Sequence, residues 1–229
     1  QIYKNVAPNI NTISINQTWI NNNLHRSTFP LISGDSLIGD IVIADPNPNF
    51  YFTFDGPMTF DGSGNTIDIS GVPNFKGLFQ NGTIGTTGQA NITIKNLGVT
   101  SSNGSTLDAQ AGWIGQSYFG RDASNNKIEN CYSSGAISGP GSGGICGSNV
   151  SDSSGNVTIE NCYSLGAILS PLSGGGICGN NAGSDTGTVT VINCYSSGAI
   201  SGPGSGGICG SNAGSDTGTV TVINCYSSG

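Results

Sequence analysis

Residues 193–216 read NCYSSGAISGPGSGGICGSNAGSD, and this string returns along the chain with few changes. Residues 130–149 repeat its first part letter for letter, residues 161–185 carry a diverged copy, and a further copy begins at residue 224. The spacing between copies is 31, 32 and 31 residues, measured between Cys131, Cys162, Cys194 and Cys225. A repeat of this length indicates a solenoid, in which each unit stacks on the next.

The residues within one repeat favour β-strands. Each repeat contains a β-branched run, such as TVTVI at residues 188–192, followed by GAIS and GGICG segments between clusters of Gly, Pro, Ser and Asn. Three short strands and three turns fit one coil of a three-sided solenoid, and no run of strong helix formers is present. We therefore predict an all-β chain folded as a right-handed parallel β-helix with about 31 residues per coil. Two half-length coils per repeat are the alternative, but the two halves differ in sequence.

The pattern continues upstream in a degenerate form. IKNL at residues 94–97 aligns with IENC at residues 128–131, and the buried pair of the GGICG segment aligns with Trp113-Ile114 and Leu78-Phe79. The predicted organisation is an N-terminal capping or docking segment over residues 1–35, degenerate coils over residues 36–125, and near-identical coils over residues 126–229. A cap is expected because an open end coil exposes unpaired strand edges.

This alignment places the cysteines at inward-facing core positions, where cysteine acts as a small hydrophobic residue. One set takes the place of Leu97 and the other takes the place of Ile114 and Phe79. Stacked about 4.8 Å apart, the cysteines could be a column of thiols, which we favour, or could form disulfides between coils. Because seven is odd, at least one thiol stays free or pairs outside the chain. The two sets are Cys131, Cys162, Cys194, Cys225 and Cys146, Cys178, Cys209.

No metal or cofactor is expected. The cysteines lack the short CxxC pairs of a structural zinc site, and the single histidine, His25, is distant in sequence. An asparagine precedes each cysteine of the first set. Asparagine tolerates the left-handed conformation of a corner and can hydrogen-bond to the next coil, which predicts an asparagine ladder. Its members are Asn130, Asn161, Asn193 and Asn224.

Charge and hydropathy argue against two classes of partner. Only 8% of residues are charged, the net charge is −7, and no Lys or Arg cluster occurs, so binding to nucleic acid is not expected. No apolar run reaches the roughly 18 residues of a membrane span, so membrane insertion is not expected either. Six Asn-x-Ser/Thr sequons are candidate N-glycosylation sites if the chain is secreted. They begin at Asn16, Asn81, Asn91, Asn103, Asn149 and Asn156.

The repeat resembles the GLUG-type repeats of microbial surface proteins. The residues that carry this resemblance are GGICGSN at residues 206–212 followed by NCYSSG at residues 224–229. FDGSGNTI at residues 60–67 also looks like a rung of a parallel β-helix protein, and similar repeat-rich chains occur in large viruses of amoebae. The resemblance implies a β-helix of an extracellular, cell-surface or virion-surface protein, but no particular activity. The chain departs from the repeat pattern by placing Cys where Val or Leu is usual.

Polysaccharide-degrading enzymes with this fold gather carboxylates on one face. Here the acids are dispersed. Asp55 and Asp61 stand in Phe-Asp-Gly turns, and no motif joins Asp68, Asp108 and Asp122. We therefore expect that the chain is not an enzyme.

Two recurring surface features suggest ligands, calcium in one case and ice in the other. Asp152, Asp185 and Asp216 recur in loops, and a calcium ladder is conceivable, but one carboxylate per coil is few for a cation that takes six to eight oxygens. Outward Thr-x-Thr pairs at residues 188–190 and 219–221 resemble the surface of ice-binding solenoids, although exposed threonine on a strand is the simpler interpretation.

The expected function is structural. The chain stops inside a repeat at residue 229, which suggests that more repeats follow or that another subunit covers the edge. We therefore expect a fibre or filament subunit whose partner is itself, stacked head to tail. The alternative is an adhesin or carbohydrate-binding stalk that contacts surface glycans.

Overall fold

The computed structural model describes residues 12–44 and 50–229. Residues 1–11, which belong to the predicted N-terminal segment, lie outside the described residues. One short helix and 17 strands make up the secondary structure of the described part. The helix is α1 (Gln17–Asn23), and the strands are β1 (Ser14–Ile15), β2 (Thr28–Leu31), β3 (Ser36–Leu37), β4 (Ile41–Ile43), β5 (Tyr51–Phe54), β6 (Met58–Asp61), β7 (Thr66–Ser70), β8 (Ile92–Lys95), β9 (Gly98–Ser102), β10 (Asn126–Glu129), β11 (Tyr132–Ser133), β12 (Asn156–Glu160), β13 (Tyr163–Ser164), β14 (Thr188–Ile192), β15 (Tyr195–Ser196), β16 (Thr219–Ile223) and β17 (Tyr226–Ser227).

The strands form parallel sheets whose neighbours come from successive coils. One sheet has the order β1-β3-β6-β8-β10-β12-β14-β16, a second has the order β17-β15-β13-β11-β9-β7-β4, and β2 pairs with β5 in a third. On the third side the coils that follow β5 are joined by single parallel bridges, which link Phe52, Phe79, Gly115 and Cys146 in turn. A separate set of bridges links Ile137, Ile168 and Ile200. The predicted all-β parallel solenoid, three-sided and with about 31 residues per coil, is confirmed.

Alternating side chains explain why these strands stack in one register. In β12, Val157 and Ile159 are fully buried, while Thr158 between them is partly exposed. Val157 pairs with Val189 of β14, which in turn pairs with Val220 of β16. A shift of one residue would turn every buried β-branched side chain toward solvent, so the pattern specifies the register.

The coil pairing begins earlier than the predicted boundary at residue 36. Strands β1 and β2 lie in the segment expected to be a cap, yet they pair in parallel with β3 and β5. Phe29 and Leu31 are inward-facing residues of β2, and this alternation lets the segment extend the sheets. Helix α1 is N-capped by Asn16, whose side chain accepts a hydrogen bond from the Trp19 backbone at 2.9 Å. Ile20 of α1 is buried in the core.

Candidate functional site

Two cysteine columns run through the interior of the later coils. All seven cysteines are free thiols, five of them are buried, and Cys209 and Cys225 of the last coil are partly buried. Parallel bridges link Cys146 to Cys178 and Cys178 to Cys209. In the other column the Cys162 backbone N–H donates to the Cys194 sulfur at 3.4 Å. The sulfurs therefore face the core and take part in the contact between coils.

The register of one column differs from the predicted alignment. Cys146 bridges to Gly115, and Gly115 bridges to Phe79, so Cys146 does not take the place of Ile114. The Ile145 carbonyl instead accepts hydrogen bonds from Ile114 and Gly115. The predicted equivalence of Cys146 with Phe79 agrees with these bridges. The alignment with Ile114 was wrong by one residue, because it matched apolar letters while the backbone pairs Gly112 with Gly143.

Burial suppresses ionisation of these thiols. Removal from water raises the pKa of Cys146 and of Cys162 well above the ordinary value. A hydrogen bond with Cys209 and burial raise the pKa of Cys178 in the same direction. Thiolate is the reactive and metal-binding form of cysteine, so these thiols are chemically quiet at neutral pH.

Asparagines form a ladder at the corner between the first two sheets. Asn130, Asn161, Asn193 and Asn224 all have a φ of 52°, in the left-handed region. Each side-chain nitrogen donates to the amide oxygen of the preceding member, at distances between 3.2 and 3.4 Å. The ladder starts one coil earlier than predicted, because Asn130 donates to Asn96. Its contacts join one coil to the next.

A column of stacked tyrosines lies next to this ladder, and the sequence analysis missed it. Ring centroids are 5.0 Å apart between Tyr132 and Tyr163, 4.9 Å between Tyr163 and Tyr195, and 5.2 Å between Tyr195 and Tyr226. The ring planes are within 7° of parallel. Each tyrosine directly follows an inward cysteine in NCYS, so strand alternation could have predicted that it faces outward. We call these four residues the tyrosine column.

Glycine at the equivalent position of the preceding coil makes room for the first ring of the tyrosine column. Gly98 pairs with Tyr132, and a Cβ atom at Gly98 would lie 2.5 Å from the Tyr132 ring. Tyr132, Tyr163 and Tyr195 are partly exposed, and Tyr226 is exposed. The column is thus a surface feature of the coils over residues 126–229.

The three loop aspartates do not form one column. Ser184 donates to the Asp152 carboxylate at 2.6 Å, and the Thr186 N–H donates to the Ser153 carbonyl, so Ser153 and not Asp152 stacks below Asp185. Asp152 also forms an ion pair with Arg121. Within the described part of the chain, no three His, Cys, Asp or Glu side chains are placed to hold a metal ion. The arrangement does not support a calcium ladder.

The acids considered as catalytic candidates have local structural partners. Asp61 accepts from the Ser63 backbone at 2.8 Å and pairs with Lys95, and these hydrogen bonds lower its pKa against the opposing effect of burial, which is the largest single influence. Asp68 accepts from Thr100 and Ser102, at 3.0 and 2.6 Å.

The remaining catalytic candidates also lie apart. Asp108 accepts from the adjacent Ala109 N–H, and Asp122 pairs with Arg121. Asp55 and His25 are exposed. The structure does not bring these side chains together in a way that would support acid–base chemistry.

The six sequons differ in accessibility. Asn91, Asn103 and Asn156 are exposed, and Asn16 is partly buried in its capping role. Asn81 and Asn149 are 3% and 8% exposed, and the Asn81 amide is used in two hydrogen bonds with Gln89. A glycan on either buried side chain could not be accommodated in this fold.

Outward threonines form a narrow uncharged strip on the first sheet. Thr188 pairs with Thr219, and Thr190 pairs with Thr221. Asn156 and Thr158 continue the strip by one coil, where Lys127 and Glu160 then border it with an ion pair of 2.8 Å. The strip is therefore two side chains wide and three coils long, which is a small area for an ice-binding surface.

A shallow groove of about 140 Å³ lies near the N-terminal coils. Its lining is neutral and includes the amide side chains Gln80, Asn81 and Gln89 and the hydroxyls of Thr53 and Thr87. Such groups can hydrogen-bond to a neutral polar ligand. No helix in the described residues is both long and apolar enough to cross a membrane.

Comparison with known proteins adds support for the fold. No known protein family matches the chain, and no curated protein matches it either. A solved structure from Bacteroides ovatus, described as "a putative immunoglobulin A1 protease", superposes with a TM-score of 0.53 at 20% identity, covering 92% of this chain and 73% of that chain. At this identity the similarity shows the fold alone. The resemblance to GLUG-type repeats stays a prediction.

Proposed function

We propose that this chain is a structural solenoid of an extracellular or surface protein, and that copies of it stack end to end into a fibre. The observation that carries the proposal is the identity of successive coils. Residues 188–192 and 219–223 are both TVTVI and pair residue for residue. The cysteine columns, the asparagine ladder and the tyrosine column all join coil to coil, which is what a stiff scaffold requires.

End-to-end stacking follows from this repetition. Because adjacent coils present nearly the same backbone groups and side chains, the contacts that hold coil on coil within one chain also suit a coil of another copy. Such a heterologous contact repeats without closing and produces an open filament. The resemblance to repeats of microbial surface proteins supports a surface location, and the small fraction of charged residues, 8%, suits an inert scaffold.

The experiment is negative-stain microscopy combined with sedimentation velocity over a range of protein concentrations. Thin filaments, together with a sedimentation coefficient that rises with concentration, are expected. Val222→Lys should block stacking. Val222 of β16 pairs with Val191 of β14, which is buried, whereas Val222 itself is 48% exposed because no further strand covers it. Thr221→Lys places the same charge on the outward face and should leave filaments intact. Monomers at every concentration would refute assembly.

A carbohydrate-binding stalk is the second candidate, and the neutral groove beside Gln80 and Gln89 is the observation that favours it. Amide and hydroxyl groups without formal charge suit a neutral sugar better than an ion. A glycan array probed with this chain tests the idea. Saturable binding that Gln89→Ala weakens would favour this candidate, and no binding to any glycan would remove it.

We also propose that the chain lacks catalytic activity. The Bacteroides ovatus neighbour carries a protease description, but a histidine-based catalytic triad here would have to use His25, which is exposed in the N-terminal segment. Incubation with immunoglobulin A1, pectin and alginate tests the proposal. Cleavage that is lost in His25→Ala, or new reducing ends, would overturn it.

A further inference from the structure

We propose that the tyrosine column is a site of oxidative phenol coupling, at which two copies of the protein become joined by dityrosine bonds. This goes beyond the fibre proposal, since side-by-side coupling does not require end-to-end stacking. Tyr163 lies between Tyr132 and Tyr195 at 5.0 and 4.9 Å, with ring planes inclined by 4° and 3°. Rings this close and parallel overlap, so an unpaired electron formed on one phenol is exchanged with its neighbours.

The column is open to reagents in solution. The faces of its inner rings cover each other, so solvent reaches the ring edges, where each hydroxyl and its two ortho carbons lie. In the part of the chain that the structure describes, none of the four hydroxyls hydrogen-bonds to a protein group, and Tyr226 is 59% exposed. Coupling between two molecules needs these same edges, because dityrosine forms between ortho carbons.

Several other oxidisable side chains are shielded. Trp113 is fully buried and Met58 is 5% exposed. Cys146 and Cys178 are fully buried, and the cysteine that precedes each tyrosine of the column points to the opposite side of its strand. Tyr51 and Tyr118 are partly exposed but stand outside the column. Trp19 is partly exposed as well. What distinguishes the tyrosine column is that it groups four accessible phenols on one face of the coils.

The chemistry balances with a haem peroxidase and hydrogen peroxide as the oxidant. Each of two phenols gives one electron to the peroxidase and one proton to solvent, which produces two phenoxyl radicals. An ortho carbon of one radical bonds to an ortho carbon of the other, and the displaced ring hydrogens return to the two oxygens. One hydrogen peroxide is reduced to two waters, and one carbon–carbon bond joins the two chains.

The test treats the full chain with a haem peroxidase and hydrogen peroxide. Dityrosine fluorescence, covalent dimers on denaturing gels and mass spectrometry of cross-linked peptides are the measurements. We expect dimers joined through residues 132, 163, 195 and 226. A variant with all four tyrosines replaced by Phe keeps the stacked rings and should lose the dimer. The matched control, Tyr51→Phe with Tyr118→Phe, should keep it.

Three results would overturn the proposal: cross-links that map only to Tyr51 or Tyr118, dityrosine confined to the monomer band, or undiminished dimer in the four-fold variant. The peptide map of the unmodified protein decides the question even if that variant fails to fold. Microscopy of untreated protein tests end-to-end stacking separately, so failure of one proposal does not imply failure of the other.

Discussion

The backbone N–H of Cys162 donates to the sulfur of Cys194 in the next coil, at 3.4 Å. The same contact recurs one coil later, where the Cys194 N–H donates to the Cys225 sulfur at 3.3 Å. Sulfur is a weak acceptor, so the main contribution of these cysteines is apolar packing in the core. The cysteine columns are therefore a structural feature whose stability should depend on keeping the thiols protonated.

Alkaline pH should destabilise the protein through these thiols. Burial raises the pKa of Cys146 and Cys162 above the ordinary value of about 9, and the pKa of Cys178 is raised in the same direction. Above pH 9 the unfolded chain loses these protons while the folded chain keeps them. The free energy of unfolding should then fall by at most about 1.4 kcal/mol per pH unit for each thiol.

The measurement is the urea midpoint between pH 7 and pH 10.5. Stability from the thiols should be fully present below pH 9 and decline above it. The double variant Cys146→Ala with Cys178→Ala should be less stable at pH 7 but should show a flatter decline. An equally steep decline in that variant would assign the pH dependence to other groups.

The asparagine ladder should be sensitive to both conformation and hydrogen bonding. Asn161→Ala removes the amide contacts with Asn130 and Asn193 and places alanine at a φ of 52°. The expected loss is about 1–2 kcal/mol, chiefly because alanine is strained in the left-handed region. Asn161→Gly relieves that strain and should lose less than half as much. If both variants lose the same amount in urea denaturation, the hydrogen bond and not the backbone conformation dominates.

The ion pair of Arg121 with Asp152 should contribute more to stability than the ion pair of Arg121 with Asp122. The two side chains are 19% and 9% exposed, and Asp152 also accepts a hydrogen bond from Ser184. Asp152→Ala leaves a partly buried guanidinium without this partner and should cost about 2–4 kcal/mol. Asp122→Ala is the matched control, because Asp122 is 35% exposed and lies 3.6 Å from the Arg121 Nε atom. Its cost should be below about 1 kcal/mol. Equal urea midpoints for the two variants would contradict the prediction.

Gly175, in the GGICG segment of its coil, should not tolerate a larger residue. A Cβ atom at Gly175 would lie 1.8 Å from the Cys178 carbonyl oxygen, and backbone cannot yield as a flexible side chain can. Gly175→Ala should therefore cost about 3 kcal/mol or more. At Gly104 a Cβ atom would meet nothing within 4 Å, and only the left-handed φ of 77° opposes substitution. Gly104→Ala should cost about 1–2 kcal/mol. Thermal unfolding of the two variants by circular dichroism provides the comparison.

Periodicity accounts for most of what could be predicted from the sequence. Cys131 stands where Leu97 stood one coil earlier, so its inward position follows from the repeat and from strand alternation. The position of Asn130 before it likewise predicts a corner, because asparagine adopts the left-handed conformation more readily than other side chains. The tyrosine column could have been predicted by the same alternation, although its ring geometry could not.

Interactions between segments distant in sequence required the tertiary structure. The bridge between Phe79 and Gly115 spans 36 residues, because the segment at residues 81–89 lengthens that coil. The 31-residue period of the later coils therefore does not give the register there. Asp152 and Asp185 look equivalent in sequence, yet a one-residue difference in loop length places Ser153 in the column instead.

By itself, the sequence determined the parallel solenoid, its period and which side of each strand faces the core, because these depend on local alternation repeated at constant spacing. Only the tertiary structure decided which residue of one coil lies on which residue of the next in the loops and on the third side. Backbone hydrogen bonds and the space around glycines determine this register, and neither can be predicted from the sequence of the repeat.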